Sequence, residues 1–307
     1  MASPLTSSQF VKLLDNRLRE VGENTYKDLK SMIPQLFRVI NSDSAWEEFF
    51  SVGAVPDIPE FNGMMSTLGV APGYHIKIEP KEFGGMIETE RKLLDDKKYS
   101  VLDGRAEGLM TAAHRTQEKQ AVRVFANGFS SAFDYMVHEE GEPLFSSSHG
   151  TKSGVSTANG FDNAGTTALS KTAVAATRIL MRQFRNDIGE RVEVGDNLAL
   201  IVPDNLADLA GEIVGTEKGY DTAALDKNMD YNRYKVIPYL RLDDYDANNW
   251  FMVDLDKMQK NLIWLNRIAP EIASTVDFKT LMHWVSIYMR VAYGWLDWRF
   301  AYGHQVS

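Results

Sequence analysis

Tyr74-His75-Ile76-Lys77-Ile78-Glu79-Pro80-Lys81-Glu82-Phe83-Gly84-Gly85-Met86-Ile87-Glu88-Thr89-Glu90-Arg91 is the stretch on which the reading of the fold turns. Tyr74, Ile76 and Ile78 alternate with His75, Lys77 and Glu79. Glu82-Phe83-Gly84-Gly85 offers a turn, and Met86 to Arg91 returns with charge at nearly every outward position. The pattern predicts a long polar hairpin. An isolated two-stranded ribbon is marginal in water, so its packing has to be completed from outside, and another copy of the same chain is the natural source.

Just downstream, apolar or small residues recur at Leu102, Ala106, Leu109, Met110, Ala113, Ala121, Val124 and Phe125, with Arg105, Glu107, Arg115, Glu118, Lys119 and Arg123 elsewhere. This spacing predicts one amphipathic helix of about 36 Å. Asn127-Gly128 should end it, since both residues tolerate a left-handed helix stop. Upstream, Phe10, Leu13, Leu14, Leu18 and Val21 fall at helical spacing, with Gly22 as a stop and Pro34 interrupting a second segment that reaches about Asn41. Asn41 to Phe50 offers side-chain caps before acidic residues and predicts a short helix. Ala54 to Gly63, with Pro56 and Pro59, reads as an extended strap lying on a surface.

The second half predicts a strand at 143–145, a Ser/Gly/Thr/Asn-rich loop over 146–167, and a helix over 170–184 striped by Ala173, Ala176, Leu180 and Phe184. Leu198 to Val202 suits a strand buried on both faces. A helix then opens at Pro203-Asp204, capped by Asp204 and stopped by Gly215. Strands follow at 235–240, 250–254 and 262–265, and a long period-two strand at 285–293 belongs to the sheet of the first half. The fold class is α+β.

At 307 residues the chain can bury roughly 75% of its unfolded surface. It has no cysteine, which excludes disulfides, thiolate nucleophiles and cysteine-ligated metals. A net charge of −9 argues against a nucleic-acid reader, and no apolar run approaches the roughly 20 residues of a membrane span.

Six histidines never pair at metal-ligand spacing, His138-Glu139-Glu140-Gly141 lacks the second histidine of a zinc-protease helix, and Gly150-Thr151-Lys152-Ser153-Gly154 lacks the first glycine of a phosphate loop. The strand-to-helix unit at 198–215 has no glycine fingerprint, and the adjacent carboxylates Glu139-Glu140, Asp95-Asp96 and Asp243-Asp244 diverge in direction. The reading is therefore no catalytic, metal or cofactor site. Trp284, Trp295 and Trp298 with Tyr288, Tyr293 and Tyr302 read as core or subunit contacts.

Ser42-Asp43-Ser44-Ala45-Trp46-Glu47-Glu48-Phe49-Phe50 leads to Gly53 and Pro56, and Thr89-Glu90-Arg91-Lys92-Leu93-Leu94-Asp95-Asp96 follows. Then come Pro143-Leu144-Phe145-Ser146 with His149, Leu200-Ile201-Val202-Pro203, and Tyr293-Gly294-Trp295-Leu296-Asp297-Trp298-Arg299. In this order and spacing the chain resembles a tailed-phage major capsid protein of the Hong Kong 97 fold, most like the Mu-like phage major head subunits. The resemblance implies an N-terminal arm over 1–62, an extended loop over 63–99, a peripheral domain at 100–158 built on the spine helix, an axial domain at 159–266 and a peripheral return at 267–307. It implies a shell of hexamers and pentamers around double-stranded DNA that is touched weakly and non-specifically, with no membrane and no cofactor. Nothing before Ser8 resembles a coiled scaffolding domain, so a separate scaffold protein is expected, with a portal and a maturation protease or decoration protein as further partners.

The inter-subunit contacts expected from this reading are Trp46, Phe49 and Phe50 in the arm. In the extended loop they are Lys77, Glu79, Lys81, Glu88, Glu90, Arg91, Lys92, Asp95 and Asp96. The rival readings are an encapsulin-like nanocompartment shell and a soluble α/β enzyme with its site in the loop at 146–167.

Overall fold

The computed structural model describes residues 7–90, 99–215, 228–277, 280 and 282–306. The stretch from Tyr74 to Glu90 is not a hairpin. β3 (Pro72–Ile78) and β4 (Lys81–Glu90) are consecutive strands that part into different sheets. β3 pairs antiparallel with β2 (Glu47–Val52) and with β5 (Met136–His138). β4 pairs antiparallel with β11 (Met282–Trp295), which pairs with β10 (Leu262–Val276), and β10 takes β1 (Arg38–Asn41) in parallel on its far side.

The division falls at Glu79-Pro80, because Pro80 has no amide proton to extend a ladder and the Glu79 amide is spent on the Tyr135 carbonyl, 2.7 Å away. Gly84 and Gly85, expected as the turn, lie inside β4 opposite Tyr288 and Ile287. The partner that the sequence reading sought in another copy is thus supplied by this chain. β4 forms one edge of its four-stranded sheet, with Phe83 and Ile87 turned inward and Glu82, Glu88 and Glu90 exposed. Charge on an edge strand discourages further pairing.

The long helix, here α3 (Tyr99–Ala126), meets its expectation closely: Leu102, Ala106, Leu109, Met110, Ala113, Ala121, Val124 and Phe125 are all buried. Its first half packs on Ile272, Val285, Ile287 and Met289 of β10 and β11. Neither Asn127 nor Gly128 takes a positive φ. Gly128 is needed for space, since a Cβ there would stand 2.6 Å from the Phe145 ring.

The amino-terminal helix α1 (Ser7–Asp28) runs on through Gly22. A side chain at Gly22 would meet Ile272 at 2.6 Å and Met110 at 3.0 Å, so this glycine allows close approach instead of ending the helix. Polar clips hold α1 and the turn after it along the spine helix. Arg17 donates to both oxygens of Asp103 at 3.1 and 2.6 Å, and Tyr26 donates to Gln117. The buried Glu118 carboxylate accepts from Ser31 Oγ at 2.6 Å and from the Met32 amide at 3.1 Å.

Pro34 opens the short α2 (Ile33–Leu36) at its first turn, where a missing amide proton costs nothing. The residues after it form β1, because Val39 and Ile40 find Trp264 and Leu265 beside them. The predicted short helix at 41–50 is instead the start of β2: Phe49 points to the core and Phe50 to solvent, the alternation of a strand.

The second sheet runs β6 (Ala164–Gly165), β12 (Ala301–His304), β9 (Trp250–Asp254), β7 (Leu198–Val202), β8 (Lys235–Pro238). β7, β9 and β12 are buried throughout. α4 (Lys171–Met181) covers it with Ala173, Val174, Thr177 and Met181, while Ala176 and Leu180, expected inside, are exposed. α5 (Ala207–Gly215) follows a short 3-10 turn. Asp204 does not cap that turn; the Asp243 carboxylate accepts from the Asp204 and Asn205 amides at 2.8 and 3.2 Å. Asp254 does cap α6 (Leu255–Asn261), accepting from the Asp256 and Lys257 amides. No strand forms at 143–145; the strand of that region is β5, and the Phe145 amide turns to the Gly128 carbonyl.

Candidate assembly surfaces

The residues expected to touch neighbours do not share one ribbon. On the three-stranded sheet Glu48 stands opposite Lys77, Phe50 opposite His75, and Lys77 opposite Val137. With Trp46 they make an outer face on which Trp46, Phe50 and Val137 are exposed. Phe49 turns the other way and packs on its own core. The charges of this face are mutually satisfied. Lys77 Nζ lies 3.3 Å from the Glu79 carboxylate and 4.4 Å from the centre of the Trp46 ring, and Trp46 Nε1 donates to Glu48 at 3.0 Å. Exposed pairs of this kind are worth about 0–1 kcal/mol each.

Lys81, Glu88 and Glu90 stand on the other sheet. Lys81 Nζ sits 4.9 Å from the Tyr135 ring centre, Glu88 is opposite Trp284, and Glu90 is opposite Met282. Arg91, Lys92, Asp95 and Asp96 lie outside the described residues.

A further uncovered apolar row runs through the segment read from the sequence as an extended strap, though none of its residues was among the expected contacts. Between β2 and β3 the chain makes a long loop whose base is tied by the Gly53 amide to the Ala71 carbonyl at 2.9 Å and by the Ala54 amide to Asp187 at 2.9 Å. Along it Val52, Val55, Ile58, Phe61 and Met64 are 79, 61, 88, 66 and 83% exposed. They recur at every third residue. The spacing is one of sequence, and Pro56 and Pro59 lie among these residues. The signal that reveals these residues is a period of three, which a search for helical or strand periods passes over.

A cleft of about 270 Å³ opens at the base of the loop, lined by Tyr74, His138, Glu140, Lys152, Trp298 and Arg299 among others. Its charges are bound to protein: Lys152 to Glu139, and Arg299 to Asp297 at 3.0 Å and to the Arg185 carbonyl at 2.6 Å. Among the described residues no group of three or more His, Asp or Glu is placed to hold a metal ion, and no helix is long and apolar enough to cross a membrane.

A family model described as phage capsid protein matches residues 75–303. The chain belongs to the phage capsid protein family. Among solved structures it is similar to the procapsid of bacteriophage JBD30, with 15% identity and a TM-score of 0.52 over 98% of this chain and 76% of that one. It is similar to the Mycobacterium phage Patience structure at 9% identity and TM-score 0.56, over 95% of this chain and 86% of that one. For the mature capsid of bacteriophage PhiM1 the values are 7%, 0.53, 91% and 90%. Against the chain of another JBD30 capsid structure it spans 65% of that chain's length. No curated protein matches the chain. At these identities the likeness to solved structures is one of fold, and it bears out the α+β capsid fold of the Hong Kong 97 type. As a member of this family the chain is a structural protein of the virion capsid and not an enzyme.

Proposed function

We propose that the chain is the major head subunit, copies of which close as pentamers and hexamers into an icosahedral shell around packaged double-stranded DNA. The observation that carries this reading is the row Val52, Val55, Ile58, Phe61 and Met64: a family of shell proteins has, in this member, an apolar row left open to solvent in the single subunit. Uncovered apolar rows of this size mark interaction surfaces, and in a shell of identical subunits the neighbour is another copy.

In this reading 1–62 is the arm, 63–99 the extended loop, 100–158 with 267–307 the peripheral domain and 159–266 the axial domain. Trp46 and Phe50, with the row at 52–64, make apolar contacts to neighbours. Lys77, Glu79, Lys81, Glu88, Glu90, Arg91, Lys92, Asp95 and Asp96 set register more than affinity. The net charge of −9 suits a container that holds its DNA loosely. A separate scaffold, a portal and a maturation protease belong to the same proposal. So does a decoration protein, since one JBD30 capsid is described as decorated with minor capsid protein trimers.

Expression of the chain, alone and with the neighbouring phage genes, followed by electron microscopy, tests this directly. Closed shells with a portal vertex and DNA are expected. Shells filled with protein cargo would favour the nanocompartment reading, and a stable monomer under all conditions would overturn both.

A further inference from the structure

Beside the cleft lies a buried polar cluster. Asn163 is fully buried, and His149 is 2% exposed. Backbone groups fix the Asn163 amide: its nitrogen donates to the Leu144 and Ala301 carbonyls at 2.8 and 3.2 Å, and its oxygen accepts from the Ser146 amide at 2.9 Å. The same oxygen faces His149 Nε2 at 3.1 Å, so Nε2 carries a proton. The other ring nitrogen, Nδ1, faces Glu140 Oε1 at 3.1 Å, and that oxygen already accepts from the Gly150 amide at 2.8 Å. The ring lies flat on Trp298, centroids 4.2 Å apart and planes within 5°.

His304 provides the contrast. It too stacks on a tryptophan, Trp250, at 4.2 Å and 9°. Its Nδ1 accepts from the Thr167 amide at 3.2 Å. Its Nε2 donates to Thr177 Oγ1 at 2.8 Å, because that hydroxyl's proton goes to the Ala173 carbonyl. One acceptor and one donor define a neutral ring, whereas His149 meets acceptors on both sides.

We propose that His149 is an imidazolium clasp: held between Glu140 and Asn163, it ties the segment Ser146–Gly150 to the C-terminal segment through Trp298 and the Ala301 carbonyl, and the tie opens when the ring loses a proton. Without that proton two lone pairs would confront each other at 3.1 Å in a buried place, where an unpaired carboxylate is costly. Burial acts to raise the Glu140 carboxyl. The bond and charge of His149 and the Gly150 amide outweigh it and hold the group below its ordinary value, so it is the anion of the pair.

The charged and titratable groups around the pair are His138, Glu139 and Glu142 on β5 and its turn, Lys152 beyond it, Asp162 beside Asn163, Tyr74 on β3, and Asp297 and Arg299 flanking Trp298. His138 does not compete for the role of cation. Burial pushes its ring down, and its Nδ1 accepts from the Glu140 amide at 3.3 Å.

Two measurements on the wild-type chain and on His149→Gln test this. Nitrogen-15 shifts of His149 at neutral pH should show protons on both ring nitrogens. Exchange of the Ser146 and Gly150 amides, corrected for intrinsic base catalysis, should lose about tenfold or more of its protection once the ring is deprotonated. His149→Gln has no ring proton to lose and should give a flat profile. A ring with one unprotonated nitrogen at neutral pH, or a flat wild-type exchange profile, would overturn the clasp whether or not the variant folds.

Discussion

Two regions of this subunit carry comparable rows of apolar side chains and treat them in opposite ways. Along α3 the row from Leu102 to Phe125 is closed in by β10, β11 and α1, and its members are at most 6% exposed. Along the loop between β2 and β3 the row from Val52 to Met64 is at least 61% exposed. The first row has a helical period and finds its cover within the chain. The second recurs every three residues, has Pro56 and Pro59 among its members, and is left exposed on a loop tied at its base. Burying apolar area contributes about 25 cal/mol per Å² wherever the cover comes from, so the first row should govern folding of the subunit and the second its association.

The sharpest way to break this comparison is Ile58→Asp with Phe61→Asp. Charges placed in a contact that must be desolvated should abolish shells in electron micrographs. The melting temperature of the soluble subunit should hardly move, as expected for exposed positions. Normal particles from this variant would show that the loop is not an assembly surface.

Leu109→Ala should act in the reverse sense. The cavity it leaves under α3 should cost about 2–5 kcal/mol in urea unfolding of the subunit, and shells that do form should have ordinary morphology. Unchanged stability would mean that the spine row is not the folding core.

Acid offers a way to weaken the folded body without touching the loop. Burial holds the neutral His304 ring down to about 4, against about 6.5 in an unfolded chain. Between those values the unfolded state takes up a proton that the folded state refuses. Stability is therefore full above pH 6.5, falls as pH drops through that window, and levels off below 4, by on the order of 3 kcal/mol in all. His304→Gln should flatten that part of a stability-against-pH curve, and an equally steep curve in the variant would remove His304 as the cause.

Trp46 is an intermediate case, exposed yet already engaged by Lys77 and Glu48. Trp46→Ala should reduce particle yield by several-fold, about 1–2 kcal/mol per contact, with the subunit still soluble and folded; wild-type yield would remove it from the interface. Smallest of all should be Glu88→Lys with Glu90→Lys on the β4 edge. The subunit's circular dichroism should be unchanged and only the salt dependence of assembly should shift, since exposed charges are screened over about 10 Å at ordinary ionic strength. A large loss of subunit stability would contradict the picture of solvated edge charges.

The sequence by itself determined the elements whose environment is written in their own period. The spine helix was legible because burial on one side of a helix recurs every three to four residues. β7 and β9 were legible because strands covered on both faces read as unbroken apolar runs. Family order among short landmarks carried the capsid reading. Only the tertiary structure decided the partners. Tyr74 to Glu90 has the alternation of two strands, yet alternation states which face is inside and not which strand lies alongside, and β4 belongs with β11, some 200 residues on. Gly22 and Gly84-Gly85 look like punctuation because glycine permits turns, but one admits a neighbouring helix and sheet and the others lie mid-strand. The protonation contrast between His149 and His304 was likewise beyond the sequence, because hydrogen-bond partners such as Asn163 and Glu140, or Thr167 and Thr177, are brought together only by the fold.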